Sequence, residues 1–372
     1  MGGLYKEKEE CCGCSACYNS CPVAAITMIA DEEGFLYPLI DQRNCIDCGR
    51  CVAVCPLKKT GNYKNIQFPK FYAARHTDTV VLDKSTSGGA FTAISDVILH
   101  EGGVVYGADF DNQFRVFHCR AVTTEQRDRL RISKYVQSDM GRVYQQIKAD
   151  LQTGCKVLFT GTPCQCAGLR GFLGESPLSE QLYVCDLICH SIPSPLVWED
   201  YKKLLEKEQS GRLASVQFRS KVYGWSRDSG GKGFRFTIAS KEGVFEDDRF
   251  YRMFFSFGTI TRPSCSRCPF TDVHRPSDLT IADYWGIEKY CPQWYDPRGV
   301  SLLLENTDKG TALLTKCQAD LFMDERSPEE ELKEQPRLRK AVRVHPERAA
   351  FWEEYRRFGL AHILEKSEKM EK

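Results

Sequence analysis

The 372-residue chain lacks three features that would place it in common classes of protein. Lysine and arginine (51) almost balance aspartate and glutamate (50), and no basic run occurs, so nucleic acid is not expected as a partner. No apolar stretch approaches the length of a membrane span, so any membrane association is expected to go through a partner protein. No signal peptide is recognisable, and a reducing, cytoplasmic location is therefore expected.

Cysteine, by contrast, is abundant, with 19 residues in the chain. In a short secreted domain this count would indicate disulfides, but here many cysteines fall into metal-ligand spacing. Two runs, at residues 11–22 and 45–56, repeat the pattern C-x2-C-x2-C-x3-C-P. This is the spacing of bacterial ferredoxins, and two copies with a hairpin-sized spacer predict two 4Fe-4S clusters.

The spacing also predicts which cysteines share a cluster. Three cysteines separated by two residues each can wrap one cubane from a single loop, whereas the fourth, beside a proline, reaches the other cluster. Zinc takes paired C-x2-C knuckles, but it does not need this triple spacing twice. Cys12 is out of register and is expected to be a spectator. The two predicted sets are Cys11, Cys14, Cys17 and Cys55, and Cys45, Cys48, Cys51 and Cys21.

Periodicity and composition predict the organisation of the chain. The expected fold is an α+β ferredoxin-like dicluster module followed by an α/β domain with a largely parallel sheet and an added β-rich segment. The chain from Lys316 onward is expected to be mostly helical, and Ser138 or Asp139 is expected to cap a helix that carries Val143. The predicted divisions are a ferredoxin domain at 1–60, a linker at 61–70, two parts of the α/β region at 71–150 and 151–345, and a charged helical tail at 346–372.

A further cysteine set is predicted at one edge of the sheet. Cys164 and Cys189 each follow the carboxyl end of a predicted strand, so a parallel sheet brings them to the same edge. The pair Cys265 and Cys268 would complete four thiolates, which suit either a third 4Fe-4S cluster or zinc.

Three other residues of the same region have alternative interpretations. Cys166 and Cys185 compete as ligands, although Cys185, in mid-strand, is expected to be a small core residue. His190 follows a candidate ligand at the end of its strand and could supply a proton. The alternative is a loop histidine that hydrogen-bonds the turn.

A turn rich in serine and glycine, at residues 85–89, precedes a predicted helix that begins at Ala90. Backbone N–H groups and the positive end of the helix dipole at such a turn suit a diphosphate. The alternative is an ordinary Ser/Thr N-cap with a glycine turn. The residues alone leave both interpretations open.

Six motifs occur in a familiar order: KSTSGG, SKYVQS, GTPCQCAGLR, CHSIPSPLVW, RPSCSRCPF and DLTIADYWG. With them, residues 71–355 resemble the coenzyme F420 hydrogenase/dehydrogenase beta subunit family, and the front end resembles a fused two-cluster ferredoxin. One departure is Ala282, where similar proteins often have glycine.

This resemblance implies a flavin, typically FAD, held partly by the serine-glycine turn in the 71–150 part. It also implies that the third cysteine set holds a cluster beside the flavin, and it suggests anaerobic chemistry. The residues implied for the flavin are Ser85, Thr86, Ser87, Gly88 and Gly89, with Lys134, Tyr135 and Gln137 as neighbours.

Two functions are compatible with this combination. Clusters carry single electrons, organic substrates usually change by two, and a flavin connects the two kinds of transfer. The first function is a flavin-dependent iron-sulfur oxidoreductase that acts on a small organic substrate or on coenzyme F420 as a redox coenzyme. The second is an electron-transfer subunit that serves a partner oxidoreductase or ferredoxin. Eight cysteines in cluster spacing disfavour a purely structural protein.

Overall fold

The structure is a computed structural model that describes residues 4–58, 68–225 and 233–370, with side chains to residue 367. Most of the predicted linker at 61–70 lies outside the described residues. In the described part of the chain, no helix is both long and apolar enough to cross a membrane.

The cysteine runs form a small module around one hairpin. Strands β1 (Ile26–Ala30) and β2 (Leu36–Ile40) pair antiparallel, and helices α1 (Ala16–Ser20) and α2 (Arg50–Ala53) carry the third cysteine of each run. The Asp31 carboxylate closes the hairpin turn by accepting hydrogen bonds from the backbone N–H of Glu33 (3.0 Å) and Phe35 (2.9 Å). The predicted hairpin between the two cysteine runs is therefore present.

An eight-stranded mixed sheet organises the rest of the chain. Its strand order is β13-β3-β12-β11-β7-β6-β4-β5. The four middle strands, β11, β7, β6 and β4, run parallel, and the flanking strands are antiparallel. The strands are β3 (Lys70–His76), β4 (Val104–Phe110), β5 (Val116–Ala121), β6 (Val157–Gly161), β7 (Leu182–Leu187), β11 (Leu279–Asp283), β12 (Ser301–Glu305) and β13 (Leu321–Arg326).

A separate antiparallel sheet forms the predicted β-rich segment. It consists of β8 (Leu213–Gln217), β9 (Arg235–Ile238) and β10 (Phe245–Glu246), in the order β10-β9-β8. The fold class expected from the sequence is thus confirmed. Strands from both predicted parts of the α/β region lie in the large sheet, and the boundary at residue 150 stays a prediction.

Helices cover both faces of the large sheet. Alternate strand residues point to opposite faces: Leu158 packs with helix α4, whereas Val157 and Phe159 pack with α6 and α7. The remaining helices are α3 (Thr79–Lys84), α4 (Ala90–His100), α5 (Thr124–Asp128), α6 (Val143–Gln152), α7 (Pro163–Leu173), α8 (Pro195–Glu208), α9 (Arg249–Tyr251), α10 (Ile287–Tyr290), α11 (Asp308–Lys316), α12 (Pro328–Glu334) and α13 (Arg348–Met370), the last broken at Gly359.

The segment after Lys316 is mostly helical, as expected, but it also contains Leu321–Arg326, which pairs with β3 as an edge strand. The expected cap of the helix that carries Val143 is wrong. Helix α6 begins at Val143 without a side-chain cap. Ser138 is instead engaged in the core, where its hydroxyl bonds the His118 ring at 2.8 Å and accepts a hydrogen bond from the Gln165 amide at 2.9 Å.

The cysteine module packs closely on helix α7 through two glycines. A Cβ added to Gly168 would lie 2.9 Å from the sulfur of Cys14, and one added to Gly171 would lie 2.5 Å from the carbonyl oxygen of Val54. Real Cβ atoms essentially never approach that closely, so only glycine permits this contact. The GLRG sequence of α7 is thereby explained by packing.

The hairpin turn of the module makes a second contact with the body. Ser194, which caps helix α8, donates its hydroxyl to the carbonyl of Glu33. The Glu33 carboxylate forms an ion pair with Arg348, a residue of α13. The module is therefore held at three helices that lie far apart in the sequence.

We expect the substitution Gly168→Val to loosen the module on helix α7, because the larger side chain would collide with Cys14. Amide hydrogen exchange in α1 and α7 should become faster than in the wild type. Gly154→Ala is the control for the loss of a glycine. It strains a left-handed residue (φ 81°), but the added methyl group enters open space and meets no neighbouring atom. Equal protection of α1 in wild type and Gly168→Val would contradict the role given to this glycine.

Candidate iron-sulfur centres and flavin site

Both cysteine loops adopt the same unusual backbone conformation. In the first loop Gly13 (φ 68°) and Ser15 (φ 62°) are left-handed, and in the second Asp47 (φ 49°) and Gly49 (φ 70°) are left-handed at the equivalent positions. These residues flank the second cysteine of each run, where the chain must turn sharply. Left-handed backbone is strained for residues other than glycine and concentrates at functional sites. The repeated geometry is what two similar cluster-binding loops require.

The first predicted set is brought together around one cavity. Its walls include all four predicted ligands: Cys11, Cys14, Cys17 and Cys55. The backbone N–H groups of Gly13, Ala16 and Tyr18 act to lower the pKa of the thiols of Cys11, Cys14 and Cys17 in turn, although the net shift of each is upward. Such donors stabilise thiolates and tune cluster potentials. Burial is the largest cause that raises the pKa of Cys17, to about 12, so metal binding must displace the thiol proton.

The second predicted set is closer to the surface. Cys48 is exposed. Burial is the largest cause that raises the pKa of Cys51, and the nearby thiols of Cys48 and Cys45 raise it further. These three cysteines therefore lie together. Cys21, at the end of α1, accepts a hydrogen bond from the N–H of Ala25 at 3.2 Å.

The third set forms where β6 and β7 end. Cys164 lies in the first turn of α7, which Thr162 caps and where Pro163 is the first residue. Gln165 completes this start, since its side-chain oxygen accepts the N–H of Thr162 at 2.9 Å. The GTPCQ sequence thus places a cysteine at a helix N-terminus, where the dipole favours a thiolate.

The four predicted members of this third set interact electrostatically. Burial is the largest cause that raises the pKa of Cys189. The nearby thiols of Cys265, Cys164 and Cys268 raise it further, in that order. Burial and then Cys164 raise the pKa of Cys265 to about 12 and of Cys268 to about 11. The competitor Cys185 faces the core between helices α4 and α11 and is 2% exposed. These mutual effects place the four thiols near one another in a partly buried site.

A buried cation supports metal binding at the third set. The Nε and Nη1 atoms of Arg337 are buried without a hydrogen-bond partner among the described residues. Burial lowers the pKa of Arg337, whereas nearby Cys189 and Cys268 raise it. A buried charge needs a counter-charge, and a metal centre bound by four thiolates supplies a negative one. The residues present thus fit a thiolate-bound metal.

In residues 4–58, 68–225 and 233–370, no group of three or more His, Cys, Asp or Glu side chains converges as the ligands of a single ion. Thiolates of a 4Fe-4S cluster each bind a different iron atom and therefore stand farther apart than the ligands of one zinc ion.

The serine-glycine turn is held by the protein itself. The hydroxyls of Ser85 and Ser87 donate to the carbonyls of Val81 (2.6 Å) and Val300 (2.8 Å). The hydroxyl of Thr86 accepts the N–H of Ser133 at 3.2 Å, which brings the turn next to the SKYVQS segment. Any ligand at this turn would therefore meet backbone groups rather than free hydroxyls.

The two glycines of the turn have packing roles. A Cβ on Gly88 would lie 2.3 Å from the carbonyl oxygen of Ala74, and Gly89 has a φ of 86° as the residue before helix α4. No side chain caps α4, so the ordinary Ser/Thr N-cap is not what the structure shows.

Two buried lysines beside the turn fit an anionic cofactor. The Lys221 ammonium donates to the carbonyls of Leu82 (2.6 Å), Ser87 (3.3 Å) and Arg298, and that of Lys134 donates to Arg129 (2.9 Å) and Ile132 (3.0 Å). Burial is the largest cause that lowers the pKa of both lysines to about 8. Nearby carboxylates, Asp109 for Lys134 and chiefly Asp283 for Lys221, oppose this shift, but neither lysine forms an ion pair with a carboxylate in the described part of the chain. A diphosphate at the turn would add negative charge beside both.

Tyr135 and Gln137 point to different surroundings. Tyr135 packs against Phe255 (ring centroids 5.1 Å apart), and its hydroxyl accepts from Arg219 at 3.2 Å. Gln137 lies beside the first cysteine loop, where its amide donates to the carbonyl of Cys12 at 3.3 Å. The structure therefore places Tyr135 near Arg219 and Gln137 near the clusters.

His190 lies among aromatic rings, with Phe254 and Phe255 at centroid distances of 5.3 and 5.0 Å. Burial, followed by the charge of Arg337, lowers the pKa of His190 to about 4. The imidazole is thus neutral at pH 7.

Sequence reasoning missed three residues at the junction of the sets. Cys12, expected to be a spectator, interacts with the thiols of both Cys14 and Cys164. Arg262 and Arg337 supply buried positive charge near the cysteines. Only the extra cysteine beside the ferredoxin spacing gave a sequence signal, because the arginines reach the site through tertiary contacts.

Comparison with known proteins identifies both parts of the chain. Residues 154–331 match the family described as the C terminus of the coenzyme F420 hydrogenase/dehydrogenase beta subunit, and residues 10–59 match the 4Fe-4S dicluster domain. An uncharacterized ferredoxin of Methanocaldococcus jannaschii is 36% identical over 50 residues, which are 13% of this chain and 64% of that protein. The chain thus spans less than two thirds of that relative's length.

A solved structure has the same fold. A chain from the F420-reducing NiFe hydrogenase complex of Methanosarcina barkeri aligns with a TM-score of 0.52 at 18% identity, covering 73% of this chain and 89% of that one. At this identity the likeness shows the fold alone.

The dicluster match supports 4Fe-4S clusters in the front part of the chain. Behind it, residues 154–331 are similar to the C terminus of the coenzyme F420 hydrogenase/dehydrogenase beta subunit. The resemblance expected from the motifs is confirmed over these two ranges.

We expect Cys189→Ala to remove a metal centre from anaerobically reconstituted protein. Total iron should fall from about twelve to about eight atoms per chain, because one four-iron cluster would be lost. Cys185→Ala, which removes a buried core thiol, should keep about twelve. Iron, sulfide and zinc are measured together. A loss of about one zinc ion, with iron constant at about eight in both proteins, would show that the third set binds zinc.

Proposed function

We propose that the protein is an iron-sulfur flavoprotein oxidoreductase that connects single-electron carriers to a two-electron substrate. The observation that carries this proposal is the junction at Cys12, whose thiol interacts with Cys14 of the first set and Cys164 of the third. Two sets of thiols from different domains meet there inside the protein. Short separation is what electron transfer between centres needs.

Differences in exposure give the cysteine sets an order. Cys48 in the second set is exposed, Cys14 in the first set is buried, and Cys12 links the first set to Cys164 of the third. With clusters bound, the Cys48 loop would be the place where electrons are exchanged with an outside carrier, and the first set would stand between it and the third. The opposite direction uses the same order.

The cofactor next to the third set is proposed to be FAD. A flavin, when bound, exchanges single electrons with clusters and two electrons with an organic substrate. The chain would hold its diphosphate through backbone N–H groups at the start of α4 and the ammonium groups of Lys221 and Lys134. The aromatic residues Tyr135, Phe254 and Phe255 would exclude water from the neighbouring space. His190, which contacts Phe254 and Phe255, would lie beside that space and is the candidate for proton exchange with the substrate.

The substrate is proposed to be a small organic molecule or the deazaflavin coenzyme F420. The family match of residues 154–331 supports this class of substrate. A cytoplasmic location and anaerobic conditions are proposed with it, because exposed clusters such as that at Cys48 are oxygen-sensitive.

A second function is favoured by the surface beside Cys48. Ile46 and Val52 are 60% and 45% exposed there, and exposed apolar residues mark protein contacts when they cluster. The chain would then be an electron-transfer subunit that serves a partner oxidoreductase or ferredoxin.

Purified, anaerobically reconstituted protein distinguishes the two functions. The first predicts that the chain alone oxidises reduced coenzyme F420, or passes electrons from reduced ferredoxin to a small acceptor. The second predicts activity only after a partner oxidoreductase is added. Protein that contains neither iron nor flavin would refute both.

We expect Lys221→Met to weaken FAD binding about tenfold, equal to about 1.4 kcal/mol, because a charge-assisted contact to the diphosphate would be lost. Flavin content and FAD affinity of the apoprotein are measured by fluorescence. Lys203→Met is the control, since Lys203 is 65% exposed on α8. Unchanged affinity in Lys221→Met, with an unchanged iron content, would place the flavin elsewhere.

A further inference from the structure

Arg262 lies at the centre of the junction between the module and the body. It is 1% exposed. Its Nε donates to the carbonyl of Cys11 at 2.9 Å, and its Nη2 lies 3.7 Å from the sulfur of the same residue. Nη1 donates to the side-chain oxygen of Gln137 at 2.8 Å, and Nη2 also donates to the carbonyl of Leu36 at 3.0 Å. The guanidinium is therefore fixed at the edge of the first cysteine set.

The charge of Arg262 has no carboxylate partner among the described residues. Arg275, which is equally buried, shows the usual solution, because it forms an ion pair with buried Asp186 at 3.0 Å. An isolated buried charge costs several kcal/mol. The groups that interact favourably with Arg262 are Cys11, Tyr37, Cys12 and Cys265. Three of these four are cysteines at the junction.

Those cysteines belong to different sets. Cys11 is in the first set, and Cys265, whose N–H donates to the carbonyl of Arg262 at 3.0 Å, is in the third. Cys12 lies between them and interacts with Cys164. The Arg262 side chain thus contacts the first set at Cys11, its backbone carbonyl contacts the third set at Cys265, and its charge interacts favourably with both cysteines. Arg337 instead interacts with Cys189 and Cys268 of the third set.

We propose that Arg262 is a positioning residue that raises the reduction potentials of the two neighbouring clusters together and so keeps them matched for electron transfer. This inference rests on the proposed function. An added electron makes a thiolate-bound cluster more negative, so a nearby fixed cation stabilises the reduced form. When one electron leaves the first cluster and enters the third, the same guanidinium faces the charge before and after the step. The transfer therefore needs little rearrangement of charge.

Arg262→Gln removes the charge and tests the proposal by redox titration monitored by electron paramagnetic resonance. Both clusters should become harder to reduce. We expect at least a tenfold fall in the ratio of reduced to oxidised cluster at fixed potential, about 59 mV for one electron. Arg262→Lys keeps a charge and should restore part of the shift. The variant Cys189→Ala, which lacks the third centre, assigns the signals.

Two matched arginines provide controls. Arg337→Gln should lower only the potential of the third cluster, because this residue faces only that set. Arg127→Gln should leave both potentials unchanged: its side chain is 2% exposed, but it pairs with Asp96 and Asp128. Equal shifts in all three variants would show a general effect of lost stability and overturn the proposal.

Gln137→Glu gives a second test if Arg262→Gln does not keep its iron. Glutamate has the shape of glutamine, and its carboxylate would stand at the position that now accepts from Arg262 at 2.8 Å. Neutralising the guanidinium in place should lower both potentials. Unchanged potentials in an iron-loaded variant overturn the proposal. All titrations start from wild-type protein that holds its clusters. Failure of this proposal is therefore distinct from failure of the proposed function, which would show as wild-type protein without iron or flavin.

Discussion

The burial of the first cysteine loop against the α/β body is the constraint on which the rest of the structure depends. Cys14 is 7% exposed, and helix α7 approaches it closely because Gly168 has no side chain there. Thiolates removed from water need compensating charge and hydrogen bonds. Backbone N–H groups supply part of this, and Arg262 supplies a full positive charge. Close packing and electrostatics therefore act at the same place.

This constraint also accounts for how the module is attached. The hairpin contacts the start of α8 through Ser194, and Glu33 pairs with Arg348 in α13. These contacts orient the module so that its buried loop faces the third set and its Cys48 loop faces solvent. A ferredoxin domain joined only by a linker would not hold its two loops in fixed and different environments. The attachment is thus part of the proposed electron path.

The serine-glycine turn and the cysteine sets each have cations beside them that are at least partly buried. Lys134, Lys221, Arg262 and Arg337 are all at least partly buried, and none forms an ion pair with a carboxylate in the described part of the chain. Unpaired buried charges are costly, so their concentration indicates anionic groups that belong in the site. Thiolate-bound clusters and a diphosphate are anions of this kind. The distribution of charge, rather than any one motif, therefore supports the proposed cofactors.

The sequence by itself determined what depends on local spacing. The ligands of a cluster loop lie within seven residues of each other, so the pattern from Cys11 to Cys17 predicts the loop, and the left-handed residues Gly13 and Ser15 follow from its tight turn. That Cys164 and Cys189 lie close together was also predictable, because they follow the ends of adjacent parallel strands, which meet at one edge of the sheet. The edge strand Leu321–Arg326 and the uncapped start of α6 were not, since pairing with β3 and packing of Ser138 in the core overrode the local signals.

Only the tertiary structure decided which residues surround the cysteines. Arg262 reaches Cys11 across 251 positions of sequence, and Gly168 meets Cys14 across two domains. A single arginine or glycine carries no periodicity and no motif, so its role is set by what the fold brings against it. Charge and close contact act over a few ångströms in space, whatever the separation along the chain. For that reason the sequence predicts candidate ligands, whereas the residues that surround them emerge only from the fold.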